Sequence, residues 1–189
     1  MTMTTSSDPV PALSTLGRED SEPGLPDERY FSSWYYLPQS ASLPNAPVLQ
    51  YWAIMRFRAR TATADPNSAI DLYDIDLRSS ASGTMSLRVF DYVPFTDAPM
   101  VVSDPPVPVG RWFQVEAFYR NATDESGRLS VWLDGALVAD IAKPTGAPGW
   151  VGWRVGNMGI DLNPKTVTLY VDDCALSRVR VGLTGVLAF

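Results

Sequence analysis

This chain of 189 residues predicts an all-β fold in which two antiparallel sheets pack face to face as a β-sandwich. Three observations lead there. Short alternating apolar runs recur along the chain, Pro, Gly, Asn and Asp punctuate them, and no window sustains a helical period. With 16 Pro, 13 Gly and only 19% charged residues, the composition belongs to a loop-rich β protein and not to a coiled coil or a disordered polymer. The length suits one domain with a tail, so the chain divides into an acidic, Pro/Ser/Thr-rich arm over 1–29 and a sandwich domain over 30–189.

The arm has too little apolar surface to fold alone and runs into the acidic stretch 17–24. Order in it requires docking, either onto the domain or onto a neighbouring subunit, which would make a homo-oligomer. Beyond it, strands are predicted at 30–37, 50–60, 69–78, 84–93, 111–120, 127–133, 136–141, 150–155 and 166–177, with a last run over 179–187. Asp134-Gly135 supplies the pair of positive φ angles that a two-residue type I′ turn requires, so 127–133 and 136–141 form a hairpin. Alternation then assigns faces. Phe113, Val115, Ala117 and Tyr119 point inward, as do Met55 and Phe57, Tyr73, Ile75 and Leu77, and Leu87 and Val89. About ten strands with one buried face each exceed a comfortable open sheet and divide into two.

Absences narrow the chemistry. The chain has no histidine, which removes the commonest general base and metal ligand along with Ser-His-Asp and Cys-His machinery. Its one cysteine, Cys174, makes neither an internal disulfide nor a zinc site and reads as a small buried hydrophobe. A net charge of −6 argues against nucleic acid as a partner. No run is long enough to span a membrane, and residues 1–16 lack the pattern of a secretory leader, which leaves the compartment open.

The outward polar positions are Arg56, Arg58, Asp74, Asp76, Arg88, Tyr92, Gln114, Glu116 and Arg120. If their strands are neighbours, this set is either a solvated ladder of ion pairs or a ligand surface on which planar arginines and carboxylates fork onto sugar hydroxyls or uronates. Trp150 and Trp153, beside the Pro148-Gly149 turn, are the candidates for a sugar-stacking platform, whereas Trp34, Trp112 and Trp132 read as core or sheet-covering residues. Asp172 and Asp173 either contribute to a structural calcium site with Asp27 or Glu28, or cap a loop through backbone hydrogen bonds. Asn121-Ala-Thr123 matches a glycosylation acceptor and also marks a loop.

The run GRWFQVEAFY from Gly110, the run SGRLSVWLDG from Ser126 and the run YVDDCALS from Tyr170 together resemble the succession in concanavalin A-like jelly rolls. The nearest likeness is to the polysaccharide lyase-like branch related to heparin lyases, with a more distant one to laminin G-like domains. In this branch a strand opening on Trp precedes a Gly-x-Leu-x-x-Trp-x-Asp-Gly hairpin and a late strand carries paired aspartates. The resemblance implies a jelly roll over about 30–177, a polysaccharide as partner and, in some members, a calcium ion. Lyases of this architecture use histidine or tyrosine as base, with arginine or glutamine neutralising a uronate. A chain without histidine would be left with Tyr92 or Tyr119 as base and acid, and Arg56, Arg58 or Arg88 to pair the carboxylate. The Glu-x-Asp-x-x-Glu strand of the glycosidase branch is absent. Three functions follow as expectations: a non-catalytic carbohydrate-binding or surface-interaction module, a histidine-free lyase acting by β-elimination, and a structural subunit of an extracellular or virion-type assembly that uses its arm. The two sugar readings require the outward face to be open and not covered by the arm or by 179–187.

Overall fold

The computed structural model of the chain describes residues 1–5, 12–18, 28–39, 51–60, 69–79, 84–93, 100–101, 105–146, 150–160, 162 and 164–183. In chain order its strands are β1 (Thr2–Thr4), β2 (Ala12–Arg18), β3 (Glu28–Tyr36), β4 (Tyr51–Arg60), β5 (Ala69–Ser79), β6 (Met85–Asp91), β7 (Met100–Val101), β8 (Trp112–Arg120), β9 (Arg128–Leu133), β10 (Ala136–Ala142), β11 (Trp150–Ile160), β12 (Thr166–Thr168) and β13 (Tyr170–Ser177). No α-helix occurs among the described residues. They form a five-stranded sheet in the order β10-β9-β8-β3-β13, a six-stranded sheet in the order β2-β11-β4-β5-β6-β7, and a two-stranded ribbon of β1 and β12. Every pairing is antiparallel, and the two large sheets face each other as a β-sandwich jelly roll.

The predicted alternation accounts for the core. Phe31 and Tyr35 of β3 and Phe113, Val115, Ala117 and Tyr119 of β8 meet Met55 and Phe57 of β4, Tyr73, Ile75 and Leu77 of β5, and Leu87 and Val89 of β6. Aromatic contacts bridge the layers. Phe57 stacks on Tyr119 with centroids 4.7 Å apart, and Phe31 meets Phe57 edge-on at 5.0 Å. The Tyr119 hydroxyl donates to Thr145 O and the Tyr35 hydroxyl to Ile54 O, so both buried phenols are satisfied. The Asp134-Gly135 turn has φ of 47° and 79° and joins β9 to β10, as the two-residue hairpin requires.

Four features differ from the sequence reading. β1 and β2 lie within the segment predicted as an arm. Met1–Thr5 is held by β12, where Thr2 and Thr4 hydroxyls meet those of Thr168 and Thr166, and β2 adds to the edge of β11. Edge pairing supplies main-chain hydrogen bonds that a weakly apolar segment could not gain alone. The acidic residues 19–27, including Asp27, lie outside the described residues. Second, the single strand predicted at 166–177 is two, because the Leu169 N–H bonds to Met1 O and the chain then changes partner from β1 to β3. Third, a bulge between Asp172 and Ala175, with Asp173 at φ 45°, turns Cys174 outward, so it is exposed and not a core residue. Fourth, Arg178–Leu183 is not a strand, and the predicted residues 184–187 lie outside the described set.

Those residues instead form a strap across the outer face of the five-stranded sheet. Glu116, fully buried, accepts from Val181 N at 2.6 Å, from Gly182 N at 3.3 Å and from Arg180 Nε at 3.1 Å, and the Arg180 guanidinium lies 4.5 Å over the Trp132 ring. Gln114 Nε2 donates to Gly182 O at 2.8 Å and to Ser32 Oγ at 2.9 Å. Glu116→Ala should free this strap, since hydrogen bonds to a charged acceptor contribute about 1.5–3 kcal/mol each. Trypsin should then cut after Arg178 and Arg180 at least about tenfold faster at a temperature where the domain stays folded. An unchanged cleavage rate would mean that Glu116 does not hold the strap.

Candidate functional site

The outward positions separate onto two sheets. Gln114, Glu116 and Arg120 lie on β8 in the five-stranded sheet. The first two are tied to the strap, and Arg120 pairs with Glu28 at 2.6 Å on the surface. They do not join the others, because β8 pairs with β3 and β9 and not with β4, β5 or β6. Alternation reveals whether a side chain points in or out, but it does not reveal which strand lies beside it.

Arg56, Arg58, Asp74, Asp76, Arg88 and Tyr92 do converge, on the outer face of the six-stranded sheet. Register explains the convergence. Arg154 of β11, Arg56 of β4, Asp74 of β5 and Phe90 of β6 are successive cross-strand partners, and Asp76 faces Arg88 in the next row. Arg56 forks onto Asp74 through Nε–Oδ1 and Nη2–Oδ2 bonds of 2.6 Å each. Arg56 Nη1 also lies 3.5 Å from Asp71 Oδ1, which receives Arg58 Nε at 2.7 Å. The Tyr92 hydroxyl donates to Asp74 Oδ2 at 3.3 Å, and Arg88 lies 3.6 Å over the Phe90 ring.

The face has a closed floor and an open rim. Arg56, Asp74, Asp76 and Arg88 are 6%, 1%, 1% and 5% exposed, whereas Arg58, Asp71, Arg78, Phe90, Tyr92 and Arg154 are part-exposed. Burial pushes Asp74 up to about 6, opposed by Arg56, so it is ionised at neutral pH in keeping with its fork. Asp76 differs. Neither of its oxygens has a hydrogen-bond partner, and Arg88 Nη2 stands 3.7 Å away. Burial, and next the charge of Asp74, push its carboxyl up to about 8 against the pull of Arg88, so it keeps its proton at neutral pH. Among the described side chains of this face, five arginines (56, 58, 78, 88 and 154) stand over three aspartates, Asp71, Asp74 and Asp76. A chain of net charge −6 thus carries a locally cationic strip.

Several other candidates fall elsewhere. Trp153 is buried in the core, 5.2 Å from Phe31, because its cross-strand partner is the inward-facing Phe57. The Trp150 side chain lies outside the described residues. Of the two expected places for Trp34, Trp112 and Trp132, core or sheet-covering, the second holds. They lie on the outer face of the five-stranded sheet, since each alternates with an inward-pointing neighbour. Asp172 accepts its neighbour's N–H, that of Asp173, at 2.9 Å, the loop-capping arrangement. No group of three or more His, Cys, Asp or Glu able to hold a metal occurs among the described residues, and Asp27, one of the expected arm ligands, lies outside them. Tyr119 is a core residue bonded to Thr145 O, and burial pushes its hydroxyl well above the ordinary value. Sequence reading missed Asp71 and Arg154 on the site face, and it left Phe90, which alternation puts outward with Arg88 and Tyr92, out of the candidate set. The parity of Arg154 between Trp153 and Val155 was the available signal.

No known protein-family model matches the chain, and no curated protein sequence does. Solved structures do match. An endo-β-1,4-glucuronan lyase from the fungus Trichoderma reesei superposes with a TM-score of 0.67 at 17% identity, over 94% of this chain and 79% of its own. The alginate lyase AlyC3 gives 0.60 at 9% identity over 82% of this chain and 66% of its own. The alginate lyase Aly36B gives 0.54 at 12% identity over 82% and 70%. The chain has the fold seen in these polysaccharide lyases. No helix among the described residues is long and apolar enough to cross a membrane.

Proposed function

We propose that the protein is a non-catalytic carbohydrate-binding module that takes an acidic, uronate-type polysaccharide across the outer face of β11, β4, β5 and β6. The observation that carries this reading is the arginine strip itself, cationic on an acidic chain because its five arginines outnumber its three aspartates. The part-exposed Phe90 and Tyr92 rings, stacked with centroids 6.0 Å apart, supply an apolar surface for a sugar ring on the same sheet face as the part-exposed Arg58 and Arg154. Likeness of fold to lyases named for glucuronan and alginate supports the polymer class.

The second reading is elimination chemistry through Tyr92, favoured by those same neighbours. Two features oppose it. The Tyr92 hydroxyl donates to Asp74, and burial together with the nearby carboxylates of Asp74 and Asp76 pushes it far above the ordinary phenol range, so it holds its proton. The carboxylate-pairing fork of Arg56 is already filled by Asp74.

Calorimetric titration with alginate and glucuronan should show binding that weakens as salt is raised. Arg58→Gln and Arg154→Gln should each lower affinity about five- to tenfold, the expected loss of one charge-assisted contact. Ultraviolet absorbance of the same mixtures should stay flat. Absence of affinity for every acidic polysaccharide would overturn the binding reading, and accumulation of unsaturated ends abolished by Tyr92→Phe would establish the lyase in its place.

A further inference from the structure

On the opposite side of the sandwich, three aromatic side chains stand in register across three adjacent strands. Tyr170 of β13 is the cross-strand partner of Tyr36 of β3, and Tyr36 is the partner of Trp112 of β8. Their rings form a continuous row, with centroids 5.8 Å apart between Tyr170 and Tyr36 and 5.6 Å apart between Tyr36 and Trp112. The outer members are unusually open, Trp112 at 41% and Tyr170 at 51% exposed. The described part of the strap makes its contacts at Gln114, Glu116, Trp132 and Gly135.

We propose that the row Tyr170, Tyr36 and Trp112 is a second carbohydrate site, which takes a neutral polysaccharide chain by stacking. Each member is amphipathic, an apolar ring ending in a hydroxyl or an indole N–H, and this matches a pyranose, whose C–H face is apolar and whose rim carries hydroxyls. Two strand spacings separate the outer strands, about 10 Å, so the row accommodates consecutive rings of a chain and not a single sugar. Among the described residues, the exposed aliphatic side chains, which a protein interface would recruit, lie elsewhere. Leu176 is at the far end of β13, Leu137 is on the edge strand β10, and Val179 and Leu183 belong to the strap segment. Charge fixes the class of glycan. Arg111 is paired with Asp134 at 3.1 Å, and the nearest other charges along β13 are Asp172 and Asp173, so the surroundings are neutral to acidic and disfavour a polyanion. This site and the arginine face would hold chemically different polymers on opposite surfaces of one domain. The inference stands whether or not the arginine face binds.

The test uses the full chain and electrophoresis through gels containing a soluble mixed-linkage β-glucan, a xylan or a galactomannan. At least one should retard the protein and change its tryptophan fluorescence, with little dependence on salt. Trp112→Ala and Tyr170→Ala should each weaken retardation about tenfold, and together abolish it, with unchanged thermal unfolding because both side chains are exposed. Arg58→Gln should leave it intact. Retardation by none of the three polymers, or retardation indifferent to both aromatic substitutions, would overturn the proposal. A concentration-dependent dimer that Trp112→Ala abolishes would also overturn it, by showing that the row serves a second copy of the chain.

Discussion

Replacing Arg56 with alanine should destabilise the protein by about 3–5 kcal/mol, the range found when one partner of a buried ion pair is removed. Arg56 and Asp74 are both buried, and their two 2.6 Å bonds fill both oxygens of the carboxylate. Without the guanidinium, Asp74 would keep the burial that already raises its pKa, lose the largest influence opposing it, and still face Asp71. For a domain of this size the loss corresponds to roughly 10 °C or more in Tm. The pair as a whole is a different matter, because a buried ion pair commonly contributes no more than an apolar pair of similar volume. The double replacement Arg56→Met with Asp74→Leu should therefore recover most of the stability lost in Arg56→Ala. Thermal unfolding of the three variants decides it. A single variant that melts within a degree or two of the parent would show that the fork does not constrain the sheet.

Much of this arrangement can be read from alternation. In β5 the pattern Tyr73, Ile75, Leu77 against Asp74, Asp76, Arg78 placed the charges outside before any partner was known. The Asp134-Gly135 turn was legible for the same local reason, since its chemistry is confined to two residues. What could not be read is long-range. Glu116 and Asp76 look alike in sequence, each outward on a strand with an apolar inner side. Yet one is clasped by residues 180–182 and the other lies among arginines from neighbouring strands, because the two strands belong to different sheets. Trp153 illustrates the converse. A nearby turn made it look exposed, while its partner Phe57 held it in the core. The bulge at Asp172–Ala175 reversed the expected burial of Cys174, and bulges leave little trace in a short apolar run. Of the carbohydrate candidates, alternation already gave Arg56, Arg58 and Arg88, register adds Arg154 beside them, and burial removes Trp153.

Asp76→Asn should stabilise the protein at alkaline pH and flatten its pH profile, and the sign follows from where the proton resides. An aspartate in the unfolded chain titrates near 3.8, while in the fold Asp76 is pushed up to about 8. Below about pH 4 both states hold the proton and there is no penalty. Between about 4 and 8 the unfolded chain ionises while the native state does not, so stability falls with each pH unit, and above about 8 the loss is complete. Asp74, pushed up to about 6, adds a loss of the same sign over the lower part of that window. The groups bearing on Asp76 are Asp74 and Arg78 on its own strand, Arg56 from β4 and Arg88 from β6, with Asp74 alone raising its pKa. Asparagine keeps the volume without the titration, so the variant should melt several degrees above the parent at pH 8, on the order of a few kcal/mol, and differ little at pH 4. Parallel slopes for the two proteins from pH 5 to 9 would sink the assignment of a retained proton. The same titration governs charge on the proposed glycan face, because ionised Asp76 cancels one of its arginines. Affinity for an acidic polysaccharide should therefore fall in the parent as pH rises through 8 and hold steady in Asp76→Asn, so that one carboxyl links the stability of the sheet to what its surface attracts.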